Sequence, residues 1–218
     1  MAARMYPTAY NGFNLFLLED DSGNNVLPIG KLGVQTDSKT YGVGKPWQQR
    51  NFEKYSLIEK SMKLGYTVTA AGEMEALKAF FTTTISGRLT PFWCPSWMSD
   101  HKPISTQSST TALKVAKGDR TGFLDADDGV KYRHIIVFED GLSSTPVFAE
   151  VTSVTLANAA AGYDVLNLDA SVDVNKGSII MDLIFSRMAS DSLKVSFAGA
   201  GRYKLGFNCV ELQRETPT

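Results

Sequence analysis

The sequence predicts a mainly β (α+β) protein: an antiparallel β-sandwich with one packed helix, plus an inserted small antiparallel β-barrel or sandwich domain. Three observations lead there. Runs of β-branched and aromatic residues, bounded by Gly, Asn, Asp and Ser, recur along the 218 residues. One stretch alone carries helical spacing, with Met74, Leu77, Phe81 and Ile85 on one stripe and Phe80 widening it. A polar break at residues 99–111 is followed by short, closely spaced strands, and long alternating strands return at residue 178. Residues 1–103 and 177–218 therefore form one predicted unit, with its helix at about 72–86, and residues 104–176 form the inserted one.

Taken in order, residues 13–18 and 26–29 are apolar stretches separated by the turn cluster Asp21-Ser22-Gly23-Asn24-Asn25, which predicts an early hairpin. Residues 55–60 and 66–69 are β-rich runs separated by Gly65. The helix follows, capped near Thr69, with Glu73 and Glu75 at its positive end and Gly87 as its stop. The strand after it, Phe92-Trp93-Cys94-Pro95-Ser96-Trp97, is crowded with aromatics. Residues 105–111, all Ser, Thr or Gln, read as a linker or crossover loop. Short strands are expected at 112–115, 132–138, 147–156 and 165–168. Long strands follow at 178–185, 192–197 and 203–212, the last with Tyr203, Leu205, Phe207 and Cys209 on one face, and these are expected to rejoin the first sheet.

Composition excludes several function classes. The formal net charge is -1 with Lys and Arg scattered, so no basic face offers itself to phosphates and nucleic-acid recognition is not expected. Cys94 and Cys209 are flanked by apolar residues and read as buried free thiols of a chain folding in a reducing cytoplasm. No signal-peptide core or membrane span is expected, since the apolar run 15–18 ends at once in Glu19-Asp20-Asp21.

Each candidate reactive group has a plainer competing account. Gly44-Lys45 lacks the first glycine of a phosphate loop, has Pro46 in place of Ser or Thr, and is rejected as one. His134 lies in an alternating strand. His101 beside Asp100 could serve a hydrolase, but no Gly-x-Ser-x-Gly supplies a nucleophile. Asp125-Ala126-Asp127-Asp128-Gly129 resembles a calcium loop only faintly: its glycine comes early and Ile136 stands where the bidentate Glu belongs, so a hairpin turn at Asp128-Gly129 explains it better. No local carboxylate pair suggests glycosidase chemistry. Trp47, Trp93 and Trp97 are either a sugar-stacking platform, which would make the chain a carbohydrate-binding module, or anchors of core and interface, the favoured reading. No catalytic, cofactor-binding or metal-binding residue is assigned.

Two pieces of the sequence together resemble bacteriophage tail-tip proteins of the distal tail protein type. The first is the helix ending in Phe80-Phe81, then Gly87-Arg88 and Pro91-Phe92-Trp93-Cys94-Pro95-Ser96-Trp97. The second runs from Ile179 through Arg187-Met188-Ala189-Ser190-Asp191 to Leu193-Lys194-Val195 and a closing strand ending Val210-Glu211-Leu212, with Met188 where the family has Leu. The resemblance touches the middle and last thirds of the chain. It implies a tail-tube-like β-sandwich with a helix, packed as a homo-oligomeric ring, usually a hexamer. Such a structural protein joins the tail tube to hub or receptor-binding parts at the baseplate of the virion and has no enzymatic activity. Arg187 and Asp191 fall on a turn where they are placed to pair, and residues 1–12 could form an arm on a neighbour. The other assignment open to the sequence is a peripheral adaptor contacting host glycan.

Overall fold

The structure, a computed structural model, describes residues 4–5, 9–10, 13–19, 29–36, 39–42, 49–52, 58–68, 71–117, 134–142, 144–156, 162–197, 199 and 202–212. It is mainly β. The strands are Arg4–Met5 (β1), Ala9–Tyr10 (β2), Phe13–Leu15 (β3), Leu18–Glu19 (β4), Ile29–Thr36 (β5), Lys39–Gly42 (β6), Gln49–Phe52 (β7) and Ile58–Val68 (β8). After the helix Ala71–Ala79 (α1) come Phe92–Pro95 (β9), Gln107–Ala116 (β10), His134–Phe138 (β11), Val147–Thr155 (β12), Tyr163–Val174 (β13), Ile179–Met188 (β14), Lys194–Phe197 (β15) and Tyr203–Glu211 (β16). Among the described residues, no helix is long and apolar enough to cross a membrane.

Strand β14 is the hub of the molecule. Its residues 179–182 pair with β11, 183–186 with β9 and 186–188 with β16, all antiparallel. Hydrogen bonding then runs outward in the order β10-β13-β12-β11-β14-β16-β8-β5. The last three strands do rejoin the sheet begun by the N-terminal third, as the alternation predicts: β16 pairs with β8 over eight positions and β15 lies on β16.

Four local expectations are corrected. The early hairpin is not seen among the described residues: β3 pairs with β2 and, in parallel, with β9, and Ile29 pairs with β8 as part of β5, while residues 20–28 lie outside the described residues. The runs on either side of Gly65 are one continuous strand, β8, in which Gly65 stands opposite Gly206 and Ile29. Residues 107–111 belong to β10 and are not a loop; this end strand is exposed through most of its first six residues, so polar Ser and Thr are what a solvated strand carries. The strand predicted at 165–168 extends over Tyr163–Val174, because Asp169 and Asp173 point outward on an alternating strand.

The helix departs from its predicted form at its last turn. A π-helical segment, Phe80–Thr84, follows α1, with the Ile85 N–H donating to the Phe80 carbonyl at 2.9 Å. The wider turn inserts one residue and shifts the phase, so Phe80 and Ile85, five apart, are both buried while Met74 and Phe81 are only partly so. Thr82 Oγ1 donates to the Lys78 carbonyl at 2.8 Å, a back-bond that favours such opening. The Gly87 N–H closes the end on the Phe81 carbonyl at 2.9 Å, with φ +67°. A Cβ at Gly87 would lie 2.8 Å from Asp191 Oδ1, which already accepts the Arg88 N–H at 2.9 Å. Gly87→Ala therefore combines left-handed strain with a displaced charged hydrogen bond, an expected loss of about 2–4 kcal/mol, read as a lowered denaturation midpoint. An unchanged midpoint would remove Asp191 as the constraint on this turn.

Three clusters of buried side chains fill the layers. The first lies under the helix and joins Phe16, Met62, Tyr66, Leu77, Phe80, Ile184 and Phe207. The second lies among β10 to β14 and joins Leu113, Val115, Ile135, Val137, Val151, Leu166 and Ile180. The third sits between, with Leu15, Leu17, Trp93, Ile136, Phe138, Leu183 and Phe185. Strand β11 sends alternate residues into the second and third clusters, so it is buried on both faces and reads as an unbroken apolar run.

Candidate functional site

The two sequence pieces that carry the family resemblance lie against each other. Register places Phe92, Trp93, Cys94 and Pro95 opposite Ser186, Phe185, Ile184 and Leu183. The Arg88 N–H bonded to Asp191 ties the stop of the helix to the turn after β14, across 103 residues of sequence. Around that tie opens a groove of about 650 Å³, lined by Phe81, Ser86, Arg88, Leu89, Arg187 and Asp191. Arg187 and Asp191 thus share a groove, and the Asp191 carboxylate serves the Arg88 backbone.

A second polar assembly is buried where residues 96–104 run alongside β14. The Ser96 N–H donates to the Asp182 carbonyl at 2.9 Å and the Asp100 N–H to the Ile180 carbonyl at 2.9 Å. Beyond these, the Ala116 N–H donates to the Lys102 carbonyl at 2.7 Å, so the segment bridges β14 to β10. His101 Nε2 meets Asp182 Oδ1 at 2.9 Å, with side chains only 1% and 6% exposed. The Asp100 carboxylate accepts the Asp182 N–H at 2.8 Å and the Ser96 hydroxyl. The carboxylate partner of His101 is therefore Asp182, not the sequence neighbour Asp100. With His101 and Asp182 both buried, the pair holds the segment on β14 and presents no open face to a substrate. Sequence reasoning missed Asp182, although a carboxylate inside the apolar run 179–185 is a signal for a buried partner.

Trp93 is fully buried. Its Nε1–H donates to the Tyr10 carbonyl at 3.0 Å, and its ring lies 4.8 Å from that of His134 and 5.0 Å from that of Phe185. His134 is buried as well, with Nδ1 2.7 Å from the Tyr10 hydroxyl. A sugar-stacking role for Trp93 is thereby corrected: its face is covered by protein. Trp97 is half-buried with φ +58° and packs on the first and third clusters. Trp47, Gly44-Lys45, residues 125–129 and most of the arm 1–12 lie outside the described residues.

Cys94 and Cys209 are buried free thiols, as the flanking residues predict. Cys209 Sγ sits 3.9 Å from Met188 Sδ, and the neighbouring Cys94 thiol, with burial, holds its pKa well above the usual value. Among the described residues no group of three or more His, Cys, Asp or Glu is placed to hold a metal ion. Burial also raises two phenols above the ordinary 10.0: Tyr10, with further contributions from the charges of Asp169 and Glu150, and Tyr66, beside both cysteines. Both keep their protons in the fold after an unfolded chain has lost them. Their contribution to stability is thus complete below pH of about 10 and is lost as pH rises beyond it. Phenolate absorbance is expected to show Tyr10 and Tyr66 titrating above the ordinary range, together with unfolding; variants Tyr10→Phe and Tyr66→Phe that leave the titration curve unchanged would contradict the burial.

No family model matches the chain, and no curated protein matches it.

Proposed function

We propose that the chain is a structural component of a bacteriophage tail tip, of the distal tail protein type, assembling as a homo-oligomeric ring that joins the tail tube to hub or receptor-binding parts. Its place is the tail of the virion, and it works by geometry without enzymatic activity. The observation that carries this reading is the meeting of the two resembling pieces: helix stop and aromatic strand on one side, β14 with Arg187 near its end and the turn at Asp191 on the other, tied through Arg88 and Asp191. Residues 1–103 and 177–218 form the tail-tube-like sandwich with its helix in this reading. Residues 104–176 form the inserted domain, a small barrel in which β10, β13, β12 and β11 close through β14 and the segment 96–104. Support for that closure comes from the continuous hydrogen bonding around the second apolar cluster. A ring follows when unlike faces meet at an angle that closes.

Native mass spectrometry with negative-stain imaging of the same sample tests it. The expected result is a hexamer with a central opening. A chain that stays monomeric at high concentration, and is also not retained on purified tail tubes, would overturn the reading.

A further inference from the structure

We propose that Tyr10, Phe148, Glu150 and Asp169 form a receptor for a guanidinium group, and that the group it receives is Arg88 of a second copy of this chain. The inference rests on the ring-forming reading above and names the two faces that meet. Tyr10 and Phe148 stack with centroids 5.5 Å apart and planes 30° apart, and both are half-buried. Glu150 lies two residues beyond Phe148 on β12 and so projects on the same side of the strand. Its backbone N–H donates to Asp169 Oδ1 at 2.6 Å, which places an exposed carboxylate at the backbone of the residue that carries the first. The charges of both reach the Tyr10 phenol. Two carboxylates beside aromatic rings select a planar, delocalised cation, which bonds to carboxylate oxygens while lying on a ring.

The complementary face is the groove at the helix stop. Arg88 is exposed there, next to Leu89, which is 77% exposed, with Arg187 in the same wall. The Arg88 backbone is fixed by Asp191, so its side chain starts from a held point and loses less freedom on docking. One face thus sets two arginines against the single carboxylate of Asp191, with an aliphatic neighbour, and the other is anionic with aromatic neighbours. Such unlike faces on one chain make a heterologous, head-to-tail contact, the type a ring requires.

Charge reversal tests the pairing. Sedimentation velocity across a concentration series would compare the wild type with Arg88→Glu, Glu150→Arg and the double variant, with denaturation midpoints measured on each. Asp169→Asn is included because it removes a charge yet keeps the oxygen that accepts the Glu150 N–H. Each single reversal is expected to weaken self-association by about tenfold or more, and the double variant to recover most of it. Asp169→Asn should fall between. Single variants that assemble like the wild type would overturn this contact and leave the ring reading standing. Folded single variants that lose assembly without recovery in the double would show that the two faces do not meet, again overturning it. A wild type that is monomeric throughout would overturn this contact, and the ring reading with it if the chain is also not retained on purified tail tubes.

Discussion

Trp93→Ala is expected to cost about 3–5 kcal/mol, a large fraction of the net stability of an ordinary chain. The indole is fully buried in the third cluster, edge-on to Tyr10 at 5.5 Å and close to His134 and Phe185. Truncation removes this apolar surface from contact and opens a cavity that paired β-strands cannot collapse into, because β9 is pinned to β14 on one side and β3 on the other. It also leaves the Tyr10 carbonyl without its 3.0 Å donor, adding about 1 kcal/mol. Trp93→Phe separates the two contributions, since it keeps a ring and loses the N–H, and should cost about half as much. Denaturant midpoints with near-ultraviolet circular dichroism measure both. An alanine variant within about 1 kcal/mol of wild type would mean that Trp93 is not a core anchor.

The second large effect is expected at His101 and Asp182. Removing one member of a buried hydrogen-bonded pair leaves the other desolvated and without that bond, at a cost of about 2–4 kcal/mol when the group left is charged. His101→Ala and Asp182→Ala should each fall in that range, because both side chains are almost wholly buried and meet at 2.9 Å. The combined His101→Leu, Asp182→Leu variant removes both polar groups and fills the space with apolar atoms, so it should cost much less than the two single losses added together. Strict additivity of the losses would show that the pair does not act as a unit. The backbone bonds of Ser96 and Asp100 to β14 are untouched by these changes, so any loss reports on the side chains.

What the sequence made legible were elements whose burial follows a simple period. The single helix, the aromatic strand after it and the last three strands all carry their apolar residues at spacings that a helix or strand imposes. What it concealed depended on partners far along the chain. The π turn at Phe80–Thr84 leaves no local mark beyond a run of threonines, and its effect is a phase change that a strict helical stripe misplaces. Residues 107–111 are strand because β13 offers them a partner, although their own polarity matches a loop. The N-terminal turn cluster suggested pairing between its nearest apolar neighbours, yet Phe13–Leu15 lies beside β9 and Ile29 beside β8. At the candidate sites, adjacency misled: Asp100 stands next to His101 in sequence, while the carboxylate that meets the ring is 81 residues away. The arginine of the helix stop and Asp191 were both noticed, but no spacing rule could bring them together.

The position of β14 has a consequence for how the chain is made. A ribosome delivers residues in order, and β8, β9, β11 and β10 have all emerged before the strand that unites them. Until residues 179–188 arrive, β9 and β11 lack their main partner, and β8 waits longer still for β16. Pairings so distant in sequence make for slow folding, because each closes a large loop before any contact offsets its entropy. For most of its synthesis, then, this protein holds separate paired blocks, β5 with β8 and β10 to β13 with one another, and residues 179–211 join them into one sheet.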